Sequence, residues 1–302
     1  MIKGRVINLC GGVYKVLLDD NTIISAKARG KLRSEKVYLK NANSLSQKLI
    51  PQKVKNSPKV GDIVNVDGEF IISYDERKNE LIRPDISNVD QILLVFAFKE
   101  PTFSFYLLDL FILNVIKNNI TPIIVITKID KGDINEILDF KEKMAYYEKM
   151  GYKVYYVDSI NKIGTDKVID ALKNKITILS GQTGAGKSTL INSIIPGFNL
   201  ETQEISNALG RGKHTTREIS LYQYNGGLIG DSPGFSKLDA LGIVKADLNE
   251  LFVEFKDYKC KFKDCNHQKG SVGCAIIDAV DKGEILPSRY NNYLKLYNDL
   301  KR

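Results

Sequence analysis

The sequence predicts a multidomain protein in which an N-terminal OB-like β-barrel precedes a central α/β domain and a mainly helical C-terminal domain. Short strand-like stretches occupy roughly the first 75 residues, near-continuous apolar stretches alternate with helical ones from about residue 88, and cysteines cluster near the C-terminus. The predicted domains span residues 1–75, 76–245 and 246–302. A chain of 302 residues is long enough to divide in this way.

The composition indicates a cytoplasmic protein. The chain is 43% hydrophobic and 26% charged, which is the ordinary range for a globular protein. No stretch approaches the roughly 18 consecutive apolar residues that cross a membrane, and the first residues lack the apolar core of a secretory signal. We therefore expect a cytoplasmic location and no membrane partner, and we also expect a monomer.

The first domain is predicted to be a barrel of about five short strands. These strands fall near residues 4–8, 12–18, 22–26, 61–66 and 69–73, with glycine or Asp-Asn turn signals between several of them. So many short strands in one small domain are typical of the OB fold, which often binds nucleic acid. Residues 34–58 interrupt the pattern and are expected to form a long polar loop.

The net charge of +8 lies almost wholly in one segment of this first domain. Residues 27–59 hold ten lysines and arginines but only one acid, Glu35. Such a stripe is typical of a surface that binds the phosphate backbone of RNA, although a solvated lysine-rich loop is the alternative interpretation. The side chains expected to contact RNA are Lys27, Arg29, Lys31, Arg33, Lys36 and Lys40.

The central domain is predicted to contain a parallel sheet covered by helices. Apolar strands near residues 91–97, 122–126 and 176–180 alternate with helical stretches near 104–118, 133–150 and 164–174. Buried strands that alternate with helices are typical of such a sheet.

The strand near 176–180 leads into a phosphate-binding sequence. Residues 181–188 read Gly-Gln-Thr-Gly-Ala-Gly-Lys-Ser, the P-loop pattern, and a helical stretch follows. The glycines let backbone N–H groups surround phosphates, and the helix N-terminus adds partial positive charge. Lys187 is expected to contact the terminal phosphates, and the Ser188 hydroxyl is expected to bind Mg²⁺. The predicted nucleotide contacts of this segment are Gly181, Gln182, Thr183, Gly184, Ala185, Gly186, Lys187, Ser188 and Thr189.

A second segment predicts that the nucleotide is GTP or GDP. Thr127, Lys128 and Asp130 follow the strand near 122–126 in the pattern Thr-Lys-x-Asp, where asparagine is the more usual first residue. The Asp130 carboxylate can accept hydrogen bonds from the N1–H and N2 groups of guanine, a pair that adenine does not offer. Lys128 is expected to lie along the base and the P-loop. Ser159, after the next apolar strand, is the predicted second base contact, with a simple strand end as the alternative.

Two further segments predict the switch residues of a GTPase. Asp231 and Gly234 form an Asp-x-x-Gly motif after an apolar strand, with Asp231 expected on Mg²⁺ through water and the Gly234 N–H on the γ-phosphate. Thr215 or Thr216, in a glycine-flanked loop, is expected to close on Mg²⁺. Phe235 stands where many GTPases carry a glutamine that orients water, so we expect slow unaided hydrolysis. His214 is the candidate for positioning the water, with a surface or RNA contact as the alternative role of this loop histidine.

A cysteine and histidine cluster predicts a structural zinc site in the third domain. Three of the four cysteines and one of the two histidines lie within fifteen residues. One imidazole and three thiolates make a closed tetrahedral set for Zn²⁺, which leaves no open position for catalysis. The fourth cysteine, Cys10, is expected to be a small core residue. The predicted ligands are Cys260, Cys265, His267 and Cys274.

The order of these motifs indicates a circular permutation. In Ras-like GTPases the P-loop comes first, whereas here Thr127–Asp130 precedes it by about fifty residues. A parallel sheet tolerates a permutation in which the original N- and C-termini are connected and new termini arise in another loop. The residues of the nucleotide site could therefore keep their positions in space.

This combination resembles the ribosome small-subunit-dependent GTPase A family (RsgA, also called YjeQ). The family-like stretches are residues 79–84, 86–91, 210–216 and 260–265. The resemblance covers nearly the whole chain and implies a circularly permuted GTPase that acts late in maturation of the small ribosomal subunit. It further implies contact of the OB domain with rRNA and a structural zinc ion. The segment 34–58 is longer than the family usually has, and the spacing between His267 and Cys274 is one residue longer.

Two other functions remain open on the sequence alone. A P-loop ATPase would share residues 181–188 but would not need Asp130 for its base. An RNA-binding protein could use the nucleotide as a switch on another RNA partner.

Overall fold

The computed structural model of the chain describes residues 1–32, 35–40, 49–54, 57–82, 84–195, 219–231 and 242–300. Within these ranges it contains a closed barrel, a six-stranded sheet with flanking helices and a C-terminal helical region. This arrangement confirms the predicted fold class. No helix of the described residues combines the length and the apolar character that crossing a membrane requires.

The N-terminal barrel closes in the strand order β1-β2-β3-β7-β6. Buried Val6, Val16, Val64 and Ile71 fill its interior, because alternate residues of each strand point inward. The barrel strands are β1 (Ile2–Cys10), β2 (Val13–Leu18), β3 (Ile23–Ala28), β6 (Ile63–Asp67) and β7 (Phe70–Tyr74).

The segment predicted as a long polar loop differs from that expectation. It contains an antiparallel hairpin of β4 (Glu35–Lys40) and β5 (Leu49–Val54), in which Glu35 pairs with Val54. β-Branched and aromatic residues favour strands, and the many lysines between them obscured that signal in the sequence. Cys10 also differs from its prediction, because it is exposed at the end of β1 instead of lying in the core.

A short linker joins the barrel to the central domain through β8 (Glu80–Leu81) and β9 (Ile86–Ser87). Arg77 in this linker pairs with the buried Asp62 of the barrel, with Nε–Oδ1 and Nη2–Oδ2 distances of 2.8 Å. The Ser87 hydroxyl donates to the same carboxylate at 2.5 Å. The linker is therefore anchored on the barrel by side chains.

The central sheet has the strand order β12-β11-β10-β13-β15-β14. Its first five strands run parallel and β14 is an antiparallel edge strand that the sequence did not predict. Every residue of β10 is buried, and its side chains alternate between two core clusters on the two faces of the sheet. The strands are β10 (Gln91–Ala97), β11 (Thr121–Thr127), β12 (Lys153–Val157), β13 (Ile176–Gly181), β14 (Leu221–Tyr224) and β15 (Gly227–Asp231).

The helices of the central domain match the predicted stretches closely. Ser104 caps α1 by accepting from the Leu107 N–H at 3.2 Å, and Asp133 begins a capping box with Glu136 at the start of α2. These side chains satisfy N–H groups that have no partner within the helix. The helices are α1 (Phe105–Lys117), α2 (Ile134–Lys149), α3 (Thr165–Leu172) and α4 (Lys187–Ile194).

The C-terminal region packs against α1 of the central domain. Its helices are α5 (Leu248–Leu251), α6 (Ala275–Asp281) and α7 (Pro287–Asp299), and Leu110 and Leu113 of α1 belong to the same core cluster. Arg289 in α7 is fully buried and lies 2.5 Å from the Asp109 carboxylate of α1 and 2.7 Å from that of Glu254. Separating the partners of such a buried ion pair would leave uncompensated charges, which is energetically costly. The ion pair therefore holds the two regions in one orientation.

Candidate nucleotide site and metal cluster

The predicted nucleotide residues lie at one edge of the central sheet, where its parallel strands end. Register pairs Val95 with Gly181 and Ala97 with Thr127. The chain leaves β10 toward β11 on one side, and it leaves β13 toward β14 and β15 on the other. The cleft between the ends of β10 and β13 is therefore the topological switch point, where α/β sheets bind ligands.

The backbone of the P-loop requires its glycines. Gly181 has a φ of +137°, and a Cβ there would lie 1.9 Å from the Val95 carbonyl oxygen. Gly184 and Gly186 also have positive φ values, of +77° and +85°, a region that side chains disfavour. Gly186 precedes α4 and carries no side chain that could cap it, so the N–H groups of the first helical turn remain available to an anion.

The polar side chains of the P-loop stand where a nucleotide would reach them. The Lys187 ammonium donates to the carbonyl oxygens of Gly181 and Gln182, each at 3.2 Å. Thr183, Ser188 and Thr189 are exposed, whereas Ala185 is buried beneath the loop. Lys187 thus crosses the loop on which phosphates are expected.

The segment predicted to read guanine is bonded directly to the P-loop. Thr127 is 1% exposed and its hydroxyl donates to the Ala185 carbonyl oxygen at 2.5 Å. Lys128 has a φ of +55°, and its ammonium donates to the Gly184 carbonyl oxygen at 3.0 Å. Asp130 is exposed in a short 3₁₀ turn, Ile129–Lys131. The structure therefore brings together the two motifs that the sequence holds about fifty residues apart.

Removing the Thr127 hydroxyl is expected to weaken this connection. Thr127→Val keeps the side-chain shape but leaves the buried Ala185 carbonyl oxygen without its 2.5 Å donor. We expect the affinity for GTP to fall about five- to tenfold, which corresponds to a net contribution of about 1 kcal/mol from one hydrogen bond. Because Asp130 is untouched, the preference for guanine over adenine should remain. Equilibrium titration with fluorescent nucleotides measures both quantities.

A matched control for this variant lies at the other end of the same strand. Thr121 is exposed at the start of β11, so Thr121→Val should leave GTP affinity unchanged. An affinity of Thr127→Val equal to that of the unsubstituted protein would show that the hydroxyl does not position the P-loop.

The loop after β12 is organised by Asp158, which the sequence reasoning did not select as a site residue. Its buried carboxylate accepts from the N–H groups of Ile160 at 3.0 Å and Asn161 at 3.1 Å, and from the Asn161 side-chain amide at 2.6 Å. The Asn161 side-chain hydrogen bond and these backbone bonds lower the pKa of Asp158. The Ser159 hydroxyl is buried without a hydrogen-bond partner among the described residues. Its contact with the base stays a prediction.

The loop between β10 and α1 is a part of the site that sequence reasoning missed. The Glu100 carbonyl oxygen accepts from the Lys128 ammonium, and the Gln182 side-chain amide reaches the Thr102 carbonyl oxygen at 3.5 Å. Hydrogen bonding to Lys131 lowers the pKa of the Glu100 carboxyl. Its place in the chain could have indicated this loop, because it follows β10, the strand that lies beside β13 in the sheet.

Several predicted switch residues lie outside the described part of the chain. They are His214, Thr215, Thr216 and Gly234. Asp231 ends β15, beside β13, and only its backbone is described. The roles predicted for these residues remain predictions.

The predicted RNA-binding side chains begin at the end of β3. Lys27 and Arg29 are exposed there. The side chains of Lys31, Lys36 and Lys40 and the whole of Arg33 fall outside the described atoms.

The four predicted zinc ligands converge on one point. The ligand atoms of Cys260, Cys265, His267 and Cys274 all lie within 4.8 Å of one another. The Cys260 and Cys274 sulfurs are 3.9 Å apart, and they lie 3.5 and 3.4 Å from His267 Nδ1. Ligands around a tetrahedral Zn²⁺ would be separated by about 3.8 Å for two sulfurs and about 3.6 Å for sulfur and nitrogen. The residues present therefore fit this ion.

Packing around the cluster holds the histidine in place. His267 is 7% exposed with a φ of +51°, and its carbonyl oxygen accepts from the Tyr290 hydroxyl at 2.7 Å. The ring of Phe255 lies 5.3 Å from the imidazole. Burial raises the pKa of the Cys274 thiol to about 12, so a bound metal ion would displace its proton. The cluster is a closed, half-buried set with the character of a structural metal site.

Comparison with known proteins identifies similar chains over the full length. A model of the RsgA GTPase family matches residues 74–241. The small ribosomal subunit biogenesis GTPase RsgA of Onion yellows phytoplasma (strain OY-M) is 40% identical over 311 residues, which cover 100% of this chain and 98% of that protein. The protein of the same name from Halalkalibacterium halodurans is 37% identical over 308 residues, with coverage of 100% and 98%.

Two solved structures share the fold. YjeQ from Thermotoga maritima superposes with a TM-score of 0.81 and 30% identity, covering 100% of this chain and 99% of that one. YloQ, described as a circularly permuted GTPase, superposes with a TM-score of 0.77 and 33% identity, with coverage of 99% and 95%.

Proposed function

Because this chain belongs to the RsgA GTPase family and is a circularly permuted GTP hydrolase, we propose that it acts on the small ribosomal subunit late in the maturation of that subunit. This proposal is carried by the hydrogen bonds that join residues 127–128 to the P-loop and so assemble one nucleotide site. The relatives that match this chain over its full length are named for biogenesis of the small ribosomal subunit. Such action would take place in the cytoplasm, and we retain the expectation of a monomer.

The described residues divide the work of holding GTP. The N–H groups of residues 182–184 and 186–188 would surround the phosphates, and Lys187 would exchange its carbonyl partners for phosphate oxygens. Lys128 holds the base-reading segment against the P-loop, which aims the exposed Asp130 at the guanine edge. Ser159 would contact the base from the loop after β12. The segment that would contact the base and the P-loop that would contact the phosphates are thus hydrogen-bonded to each other.

The site also fits Mg²⁺. Ser188 is exposed at the start of α4, and Asp231 ends the strand paired with the one that leads into the P-loop. Mg²⁺ prefers oxygen ligands, such as those of hydroxyl and carboxylate groups. When bound, Mg²⁺ would neutralise charge on the phosphates as the terminal bond breaks. Thr215 or Thr216 and Gly234 would complete the γ-phosphate environment.

We propose that Zn²⁺ at Cys260, Cys265, His267 and Cys274 has a structural role. Four protein ligands complete a tetrahedron and leave no position for substrate. When bound, the ion would crosslink residues 260–274 beneath α7, whose Tyr290 and Tyr293 are buried against them. The proposed effect is a rigid C-terminal surface beside the GTPase domain.

The barrel is the proposed contact with rRNA. Lys27 in β3 and Arg29 just after it are exposed, and the hairpin β4–β5 that follows belongs to the same basic segment. Lysines and arginines on such a stripe bind phosphates with little sequence preference. The small subunit would therefore be approached through this face.

Contact with the small subunit is expected to accelerate hydrolysis. Phe235 is apolar and cannot orient the attacking water, so the subunit would supply or organise the missing group, with His214 as the candidate on this chain. In single-turnover assays with labelled GTP, purified small subunits should raise the cleavage rate about a hundredfold or more, as positioned catalytic groups do. Large subunits at the same concentration are the control. Equal rates with and without small subunits would refute the proposal.

A further inference from the structure

One strand of the barrel contacts the GTPase domain directly. The side-chain amide of Asn8 in β1 donates to the Ser220 hydroxyl at 2.7 Å, and the two residues also form an antiparallel backbone bridge. Ser220 immediately precedes β14, the edge strand of the central sheet. Nearby, the Gln223 side chain donates to the Asn21 side-chain oxygen at 2.7 Å. The barrel is therefore attached along this edge.

A β-bulge directs Asn8 toward this contact. Val6 pairs with Val16 of β2, but the next pair joins Asn8 to Lys15, which makes Ile7 the extra residue. A bulge breaks the alternation of side chains across a strand and re-aims the residues that follow. Val6 and Ile7 are both buried, at 0% and 7% exposure, while Asn8 is half-buried at the interface. The polar side chain thus faces the neighbouring domain.

Ser220 lies between the barrel and the end of β15. Leu221 pairs with Gly230 in the β14–β15 ladder, and a Cβ at Gly230 would lie only 3.0 Å from the Ser220 carbonyl oxygen. Gly230 immediately precedes Asp231, and Ser220 follows Thr216 by four positions. One residue therefore adjoins both segments in which the switch residues are predicted.

We propose that Asn8 is a positioning residue for GTP hydrolysis. Through its contact with Asn8, the barrel fixes Ser220 and, through the β14–β15 ladder, Gly230. A shift of the barrel when RNA binds would therefore move these two residues, which adjoin the segments in which the switch residues are predicted. This inference rests on the proposed function, because the small subunit is the RNA that would displace the barrel.

The first test needs no ribosomal component. Hydrogen–deuterium exchange of the full-length protein is compared in GDP and in a non-hydrolysable GTP analogue. In the unsubstituted protein, peptides from residues 2–18 should exchange at different rates in the two nucleotides, and Asn8→Ala should abolish that difference. Asn8→Asp should retain it, because the Ser220 hydroxyl can rotate and donate to the carboxylate.

A second Asn–Ser pair provides the matched control. Asn65 donates to the Ser73 hydroxyl at 3.0 Å within the barrel, so Asn65→Ala removes a similar bond without touching the GTPase domain. It should keep the nucleotide-dependent difference. The inference would be overturned if peptides from residues 2–18 exchanged hydrogen at the same rate in both nucleotides. It would also be overturned if Asn8→Ala retained the difference in exchange rate between the two nucleotides.

The second test separates positioning from binding. With saturating small subunits, Asn8→Ala should lower the stimulated kcat about three- to tenfold, which lies within the roughly two- to thirtyfold range for residues that couple two sites. Affinities for GTP and for the subunit, and the melting temperature, should match those of Asn65→Ala. A loss confined to subunit affinity would instead assign Asn8 to RNA contact and overturn the inference. Failure of the unsubstituted protein to respond to subunits would refute the proposed function, while the exchange experiment still decides the role of Asn8.

Discussion

Asp130→Asn is expected to lower the affinity for GTP at least about a hundredfold and to create affinity for xanthosine triphosphate. In the role proposed for it, the aspartate carboxylate would accept from two guanine N–H groups, whereas an amide offers one acceptor and turns a donor toward the N2 amine. Sites built to pair polar groups reject mismatched ligands by large factors, because buried groups lose their partners. Xanthine carries an oxygen at that position, which can accept from the new amide. Competition titrations with GTP, XTP and ATP measure the change.

The P-loop geometry makes this result specific to the base. Thr127 and Lys128 bond to the P-loop without Asp130, so the phosphate contacts should survive the substitution. Asp139→Asn, the same substitution at an exposed position within α2, is the matched control and should leave GTP affinity intact. Unchanged GTP affinity in Asp130→Asn would contradict the predicted role of this carboxylate in reading guanine.

Cys274→Ser is expected to remove the zinc ion and to destabilise the whole C-terminal region. Zinc binding contributes on the order of 10 kcal/mol to folding in small zinc domains, and the buried Cys274 sulfur contacts both Cys260 and His267. Because Leu110 and Leu113 of α1 share the C-terminal core cluster, loosening that region should expose apolar surface on the GTPase domain. Metal analysis should give about one zinc ion per unsubstituted chain and none in the variant, with a lower melting temperature.

The exposed fourth cysteine provides the control for this experiment. Cys10→Ser should retain zinc and melt at the original temperature, because Cys10 lies outside the cluster at the end of β1. A chelator added to the unsubstituted protein should reproduce the effect of Cys274→Ser. Full zinc content in Cys274→Ser, or none in the unsubstituted protein, would contradict the proposed site.

Elements with a strong local pattern were predictable from the sequence. The apolar stretch of β10 predicted a buried strand, and the structure buries every residue of it. The helices α1 and α2 begin and end within a residue of their predicted bounds. The hairpin β4–β5 was missed, because its strand-forming residues are dispersed among lysines. The antiparallel β14 was missed too, because a short edge strand carries a weak pattern.

Contacts between distant segments were not predictable from local patterns. Nothing in the sequence near Arg289 indicates that it is fully buried against Asp109, 180 positions away. The Asn8–Ser220 contact spans 212 positions. The role of Asp158 in ordering its loop is evident only from the hydrogen bonds that its carboxylate accepts in the structure.

The sequence by itself determined the chemistry of this protein. The identity and spacing of residues 127–130, 181–188 and 260–274 predict guanine, phosphate and metal binding, because each of these functions requires particular side chains at short separations along the chain. Only the tertiary structure decided which segments meet. It joined Thr127 and Lys128 to the P-loop in spite of their reversed order, and it joined the barrel to the edge of the central sheet. The physical reason is that local pattern depends on nearby residues, whereas strand order and domain contact depend on how the whole chain buries its apolar surface.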